Sequence, residues 1–427
     1  MTNRLQIEKE IDEIPEKLAQ FETFLIRSAG INDFTHGIFK YPCKFIPHIP
    51  RWAIKKYADH TNKKYGVLDP FAGSGTSLVE SVRFGLPSYG IDPDPLSQLL
   101  IKVKTTTISK KEIRQINRLL TQIISDFKKT GLHPETIPEL PNITHWFNAD
   151  TIEDLTRLKF LIFELQCSNE IKDFFKICLA SIIRKVSNAD AQSPKPYVTF
   201  KVPKTPSNVI ELFEKTLRVQ LKKLKEFSLE ADGEPAKIVG NDAKNINTNY
   251  FMENPINLAI TSPPYINAFD YVRSLRLENA WLDLVDLKNL SKYREIQVGT
   301  EQIPASIYNG KPHFLDLSIL DEKILDIFNK DKKRAHVVHK FFTDMEANIS
   351  NVYESLEDGG HYCIVVGDSN IRGTLIPTHE ILIEIGKRNG FKLVDIFAYV
   401  IKNRYLRIPR QGRGGLIKTD WVITLEK

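Results

Sequence analysis

The apolar positions along the chain change period from region to region. Leu5, Ile7, Ile11, Ile14, Leu18, Phe21 and Leu25 recur at near-helical spacing, and Gly30 offers a stop. This predicts a helical start, with Pro15 opening a second helical segment. A proline-punctuated passage leads to another expected helix after Pro50. Short apolar runs end at Leu68 and Asp92, with a glycine-rich turn and a helix from about Ser77 to Phe84 between them. That is a β–turn–α–β unit, the building block of a parallel sheet.

From about residue 105 the period becomes helical. Ser109 and Glu112 form a capping box for a helix closing at Gly131, and Asp150 and Glu153 repeat the signature. Two more helices are expected over 171–186 and 207–229, with a basic, proline-broken loop between them. Strand patterns return in "AKIVGND" and "INLAITSPPY". Residues 342–357 read as a helix, "GGHYCIVVGD" as a strand, "PTHEILIEIGKRNG" as a helix, and "FKLVDIFAYVI" and "TDWVITLEK" as closing strands. The expected architecture is α/β. Residues 1–104 and 237–427 form one discontinuous domain, and 105–236 form an inserted helical region.

Composition narrows this only slightly. Charged residues make up 26 % and hydrophobic residues 42 % of 427, which is globular rather than disordered. The net charge of +6 is compatible with nucleic acid without requiring it. The four cysteines, Cys43, Cys167, Cys178 and Cys363, lack metal-ligand spacing, so no metal site is expected. Few cysteines, a charged start and no apolar run of membrane length together predict a soluble, cytoplasmic protein with no membrane partner.

Four places carry candidate chemistry. "DPFAGSGTS", Asp69 to Ser77, takes a strand through Gly73 and Gly75 into a helix. Such a turn lets a nucleotide-like ligand approach the backbone. No Gly-Lys-Ser/Thr follows, and Leu78 occupies the third glycine position of the dinucleotide fingerprint. Asp92 ends the next strand about twenty residues on, the spacing of an acid that binds ribose hydroxyls. Asp242 ends a third strand, where it can accept from an adenine amine or simply cap a turn. Ser262, Pro263, Pro264 and Tyr265 follow a fourth strand. The prolines stiffen the chain, while the Ser262 hydroxyl and Pro263 carbonyl offer two acceptors and Tyr265 a stacking face. The pattern suits an aromatic amine. Taken alone, it also suits a stiff turn with a packed tyrosine.

Together these residues resemble the amino-methyltransferases that modify DNA bases. "DPFAGSGT" is similar to their cofactor loop, and "TSPPY" to their catalytic motif in its cytosine-N4 form. "HGIFKYPCKFIPHIP" is similar to the segment preceding that loop. The resemblance covers about 33–104 and 237–427 and implies a Rossmann-like methyltransferase fold with a C-terminal antiparallel closing strand. S-adenosyl-L-methionine is the implied cofactor. Asp69, Pro70, Phe71, Ala72, Gly73, Ser74, Gly75 and Thr76 would line it, Asp92 would hold the ribose, Asp242 would contact the adenine, and Lys44 would reach the methionine carboxylate. Ser262 and Pro263 would hold the target amine, and Tyr265 would stack on the base.

Double-stranded DNA is then the expected partner, in a bacterial or archaeal cytoplasm at the nucleoid. A cognate restriction endonuclease acting on the same site is expected with it. Lys195, Tyr197 and Lys201 form one candidate DNA-contacting stretch, and Arg404, Tyr405, Arg407, Arg410 and Arg413 another. The alternatives are adenine-N6 methylation, methylation of an RNA amine, and an inactive nucleic-acid-binding protein.

Overall fold

The computed structural model describes residues 9–427, except 28, 43, 62, 130–136, 191–194, 200–206, 267–270, 287–292, 294, 302, 309 and 401–418. Eleven strands are present among the described residues: β1 Lys9–Ile11, β2 Glu22–Ile26, β3 Gly66–Asp69, β4 Ser88–Ile91, β5 Lys237–Gly240, β6 Ile256–Thr261, β7 Leu356–Gly367, β8 Ser369–Ile371, β9 Thr374–Ile376, β10 Lys392–Val400 and β11 Thr419–Glu426. Nine of them form one sheet in the order β1-β2-β10-β11-β7-β6-β3-β4-β5, and β8 and β9 make a separate hairpin. Every pairing in the large sheet is parallel except the two made by β11. This is a Rossmann-like α/β fold with an antiparallel C-terminal strand, as expected.

Period-two alternation sets the two faces of the sheet. In β6 and β7, Leu258, Ile260, Cys363 and Val365 join the helix His48–Tyr57 in one core. Ala259, Tyr362, Ile364 and Val366 pack with the helices Lys332–Ser355 and Thr378–Arg388 in another. Between β4 and β5 the chain is helical. Pro95–Thr105, Lys110–Phe127, Ile143–Trp146, Ala149–Phe163, Asn169–Val186 and Val209–Glu230 bury a shared apolar cluster that also takes in Ile38, Phe39 and Leu275–Leu282.

The start of the chain differs from the expectation. β1 and β2 replace the predicted helix, and β2 extends the sheet by pairing with β10, Phe397 opposite Glu22. The second capping box is also absent. Asn148 precedes Ala149–Phe163 without a side-chain cap, and Asp150 lies inside the first turn. The Ser109–Glu112 box is present in full. Among the described residues, no helix is long and apolar enough to cross a membrane, and no His, Cys, Asp or Glu cluster could hold a metal.

Candidate active site

The order of β4, β3, β6 and β7 makes the gap between β3 and β6 the switch point of the sheet, where ligands bind at the carboxyl ends of strands. The glycine turn follows β3 and the Ser-Pro-Pro turn follows β6, so the fold sets them side by side. A buried carboxylate joins them. Asp69 Oδ1 accepts from Thr261 Oγ1 at 2.7 Å and from the Phe71 N–H at 3.1 Å, and Asp69 Oδ2 accepts from Ser77 Oγ at 2.6 Å. Burial pushes the Asp69 carboxyl up to about 6, against the pull of these three donors. Asp69 therefore works behind the cavity rather than in its wall.

The glycine turn has little freedom to be anything else. Gly75 sits at φ +72° as the N-cap of Thr76–Arg83, and a Cβ there would lie 2.9 Å from Ile101 Cγ1. Gly73, at φ +49°, donates its N–H to Asp92 Oδ2 at 2.8 Å. Beneath the turn, the fully buried Lys104 donates to the Ser74 carbonyl, and burial together with Lys44 pushes its ammonium well below its ordinary range.

One cavity opens over these elements. Lys44, Pro70, Phe71, Ala72, Gly73 and Ser74 line it, as do Thr76, Asp92, Ser262 and Pro264. Asp69, Gly75, Pro263 and Tyr265 stand behind or beside this lining. Asp242 does not line it either, and Ala243 does. The Asp242 carboxylate instead accepts from the Lys244 N–H at 2.9 Å and lies 3.0 Å from Lys244 Nζ, the turn-capping alternative.

Acidic and basic side chains meet in the cavity lining: Asp92, Asp94, Lys44 and Arg276. Burial, reinforced by Asp94, pushes Asp92 up to about 7. Burial pushes Asp94 up to about 6, although it caps Pro95–Thr105 through the Leu96 and Ser97 N–H groups. Lys44 donates to the His36 carbonyl at 2.7 Å, and burial followed by repulsion from Lys223 lowers its ammonium to about 8. A carboxylate at a strand end and a lysine lining the same cavity fit a ligand with a sugar diol and a carboxylate.

Several contributors escaped the sequence reading. Thr261 is the donor that ties β6 to Asp69. Arg276 and Asn279 line the cavity from a short helix, Arg276–Trp281, just after the Ser-Pro-Pro turn. Asp420 on β11 accepts from the Tyr265 hydroxyl at 2.8 Å and the Tyr399 hydroxyl at 3.0 Å. The "RLENAW" and "KTDW" contexts of these residues carry no recognisable signal. Of the candidate DNA contacts, Lys195 and the exposed Tyr197 lie beside the Ala189–Val198 bridge. Lys201, Arg404, Tyr405, Arg407, Arg410 and Arg413 lie outside the described residues.

No family model matches the chain. Among curated proteins, it is 27% identical over 418 residues to the Type II methyltransferase M.MvaI of Kocuria varians, covering 94% of this chain and 91% of that protein. Along nearly its whole length the chain is similar to this Type II methyltransferase. M.BsoBI of Geobacillus stearothermophilus is 24% identical over 99% of this chain and 91% of its own length. M.MjaII of Methanocaldococcus jannaschii is 24% identical over 78% of this chain and 52% of its own. A solved DNA modification methylase of Thermus thermophilus aligns with only 20% of this chain and 37% of its own, at 21% identity and a TM-score of 0.17. The Type II likeness thus runs through the helical stretch between β4 and β5 as well as the sheet, further than the motifs alone reach.

Proposed function

We propose that this Type II methyltransferase relative transfers a methyl group from S-adenosyl-L-methionine to the exocyclic N4 amine of cytosine in double-stranded DNA, at a specific site. The observation that carries this reading is the shared cavity. Ser262 and Pro264 line the same space as the glycine turn and Asp92.

S-adenosyl-L-methionine is the cofactor, and when bound it supplies an electrophilic methyl group on a sulfonium. Asp92 holds the ribose, Phe71 to Ser74 flank it, and Lys44 faces the carboxylate. An exocyclic cytosine amine is a poor nucleophile because its lone pair is delocalised into the ring. The Ser262 hydroxyl and the Pro263 carbonyl accept hydrogen bonds from its two N–H groups and favour a pyramidal nitrogen, aiming the lone pair, and the proton shed on methylation passes to solvent. Tyr265 stacks on the base. Alignment of this kind is the main catalytic demand. The base must leave the duplex to reach the cavity, at an unstacking cost of a few kcal/mol.

Carbon-5 methylation, by contrast, needs a thiolate. Among the described residues no cysteine lines the cavity, and burial pushes Cys363 up to about 12. Ser262, where adenine-N6 relatives more often carry Asp or Asn, favours cytosine.

The Type II relationship supports a restriction–modification role with a cognate endonuclease as partner. We further propose residues 1–104 and 237–427 as the catalytic domain and 105–236 as a DNA-contacting region, with Lys195 and Tyr197 and the 404–413 arginines holding phosphates.

The test is incubation with labelled cofactor and mixed-sequence DNA, followed by nucleoside identification. N4-methylcytosine is the expected product. N6-methyladenine overturns the cytosine assignment, and label in RNA without label in DNA overturns the substrate class.

A further inference from the structure

Asn279 is buried, 3% exposed, and lines the cavity from the helix Arg276–Trp281. Its Nδ2 lies 3.2 Å from both carboxyl oxygens of Asp94. Asp94 cannot swing away, because its Oδ1 also accepts from the Leu96 and Ser97 N–H groups at 2.8 and 3.4 Å. A carboxylate in that role only accepts, so the amide must face it with its NH₂. The amide orientation is thereby fixed, and Asn279 Oδ1 points away from Asp94. That oxygen is fully buried and has no hydrogen-bond partner among the described residues.

A buried amide oxygen without a donor is costly to keep. Two neighbours on the same helix, Glu278 Oε2 and Trp281 Nε1, are unpartnered as well, but neither residue lines the cavity. Of these three residues, only Asn279 combines an unmet acceptor with a place in the cavity lining. Arg276, one turn earlier, lines the same space with its guanidinium stacked 4.4 Å over Trp146, so this helix is buttressed by the helical region.

We infer that Asn279 is a cofactor-binding residue that accepts a hydrogen bond from the ligand, from either a ribose hydroxyl or the α-ammonium. This rests on the cofactor reading above. Asp94 is the positioning residue that orients it. The contact lies outside the glycine turn and the strand-end acid, on the segment that follows the target-amine turn. It ties cofactor occupancy to the chain just beyond Tyr265.

The test measures binding, not turnover, by titration calorimetry with S-adenosylhomocysteine and with methylthioadenosine, which keeps the ribose but lacks the amino-acid ammonium. Asn279→Leu is expected to weaken S-adenosylhomocysteine about ten-fold, the loss of one well-formed hydrogen bond. If methylthioadenosine weakens equally, the donor is a ribose hydroxyl; if it is unaffected, the donor is the ammonium. Asn279→Ser, which fits the same space with its hydroxyl too short to reach, replaces Asn279→Leu if the latter does not fold by circular dichroism. A folded variant that binds S-adenosylhomocysteine within two-fold of wild type overturns the inference alone. Failure of the wild type to bind either compound overturns the cofactor reading and this inference with it.

Discussion

Tyr265 is held by Asp420. Its hydroxyl donates to Asp420 Oδ1 at 2.8 Å, across 155 residues of sequence, while Tyr399 occupies Oδ2. The ring proposed to stack on the target base is thus held from the antiparallel strand β11. Asp420→Ala should lower kcat by roughly ten- to a hundred-fold, since small misplacements cost that much, with S-adenosylhomocysteine affinity unchanged. Equal losses in turnover and cofactor affinity would show a general collapse of the site instead.

Cofactor affinity should have a narrow pH optimum. In the proposed ribose contact only an ionised Asp92 can accept from both hydroxyls, so affinity should rise as pH increases through about 7. Only the protonated Lys44 attracts a carboxylate, so affinity should fall again as pH increases through about 8. Each limb changes roughly ten-fold per pH unit. Calorimetry across this range should find the acid limb missing in Asp92→Asn. Lys44→Arg, which stays charged, should lose the alkaline limb.

The Asp69 clamp makes a stability prediction. Asp69→Ala removes the buried carboxylate that Thr261, Ser77 and the Phe71 N–H share, leaving Ser77 only the Ile260 carbonyl at 3.4 Å and the Phe71 N–H only Thr261 Oγ1 at 3.2 Å. The expected cost is about 2–5 kcal/mol in urea unfolding. The pH dependence has a definite sign. The folded value of about 6 lies above the ordinary 3.8, so the native state binds the proton more readily. The contribution is fully present below about 3.8 and is lost as pH rises through about 6. Asp69→Asn should remove that slope while retaining an acceptor for Thr261.

Gly75→Ala should be worse than an ordinary glycine substitution. The residue sits at φ +72°, and the added Cβ would press to 2.9 Å from Ile101 Cγ1. Strain and overlap together are expected to cost about 1–3 kcal/mol. S-adenosylhomocysteine affinity should fall with stability, because the same turn presents Gly73 and Ser74 to the cavity. A thermal melt paired with a binding titration checks both.

The sequence revealed the parts of the site that are local. The glycine turn and Asp92 were legible because strand, turn and helix follow one another within some twenty residues and each leaves its own period. The proline turn was legible because proline restricts the backbone wherever it stands. Asn279 and Asp420 were not, because their roles depend on Asp94 and Tyr265, which lie far off in the chain. Asp69 was read as cavity lining because nothing local shows that Thr261 turns its carboxylate inward. At the start of the chain, Ile11, Ile14, Leu18, Phe21 and Leu25 keep nearly helical spacing, yet β2 forms because β10 offers it a free edge. Tertiary pairing overrides a weak local preference in so short a segment.

The pairing of β2 with β10 also imposes an order in time. A ribosome delivers Phe24 and Ile26 long before β10, and both end up buried. Phe397 to Tyr399, the partners of Glu22, Thr23 and Phe24, emerge long after them. Asp69 likewise waits 192 residues for Thr261. Contacts so distant in sequence slow folding. Until Phe397 to Tyr399 fold, β2 has only β1 paired with it, and its β10-facing edge stays open.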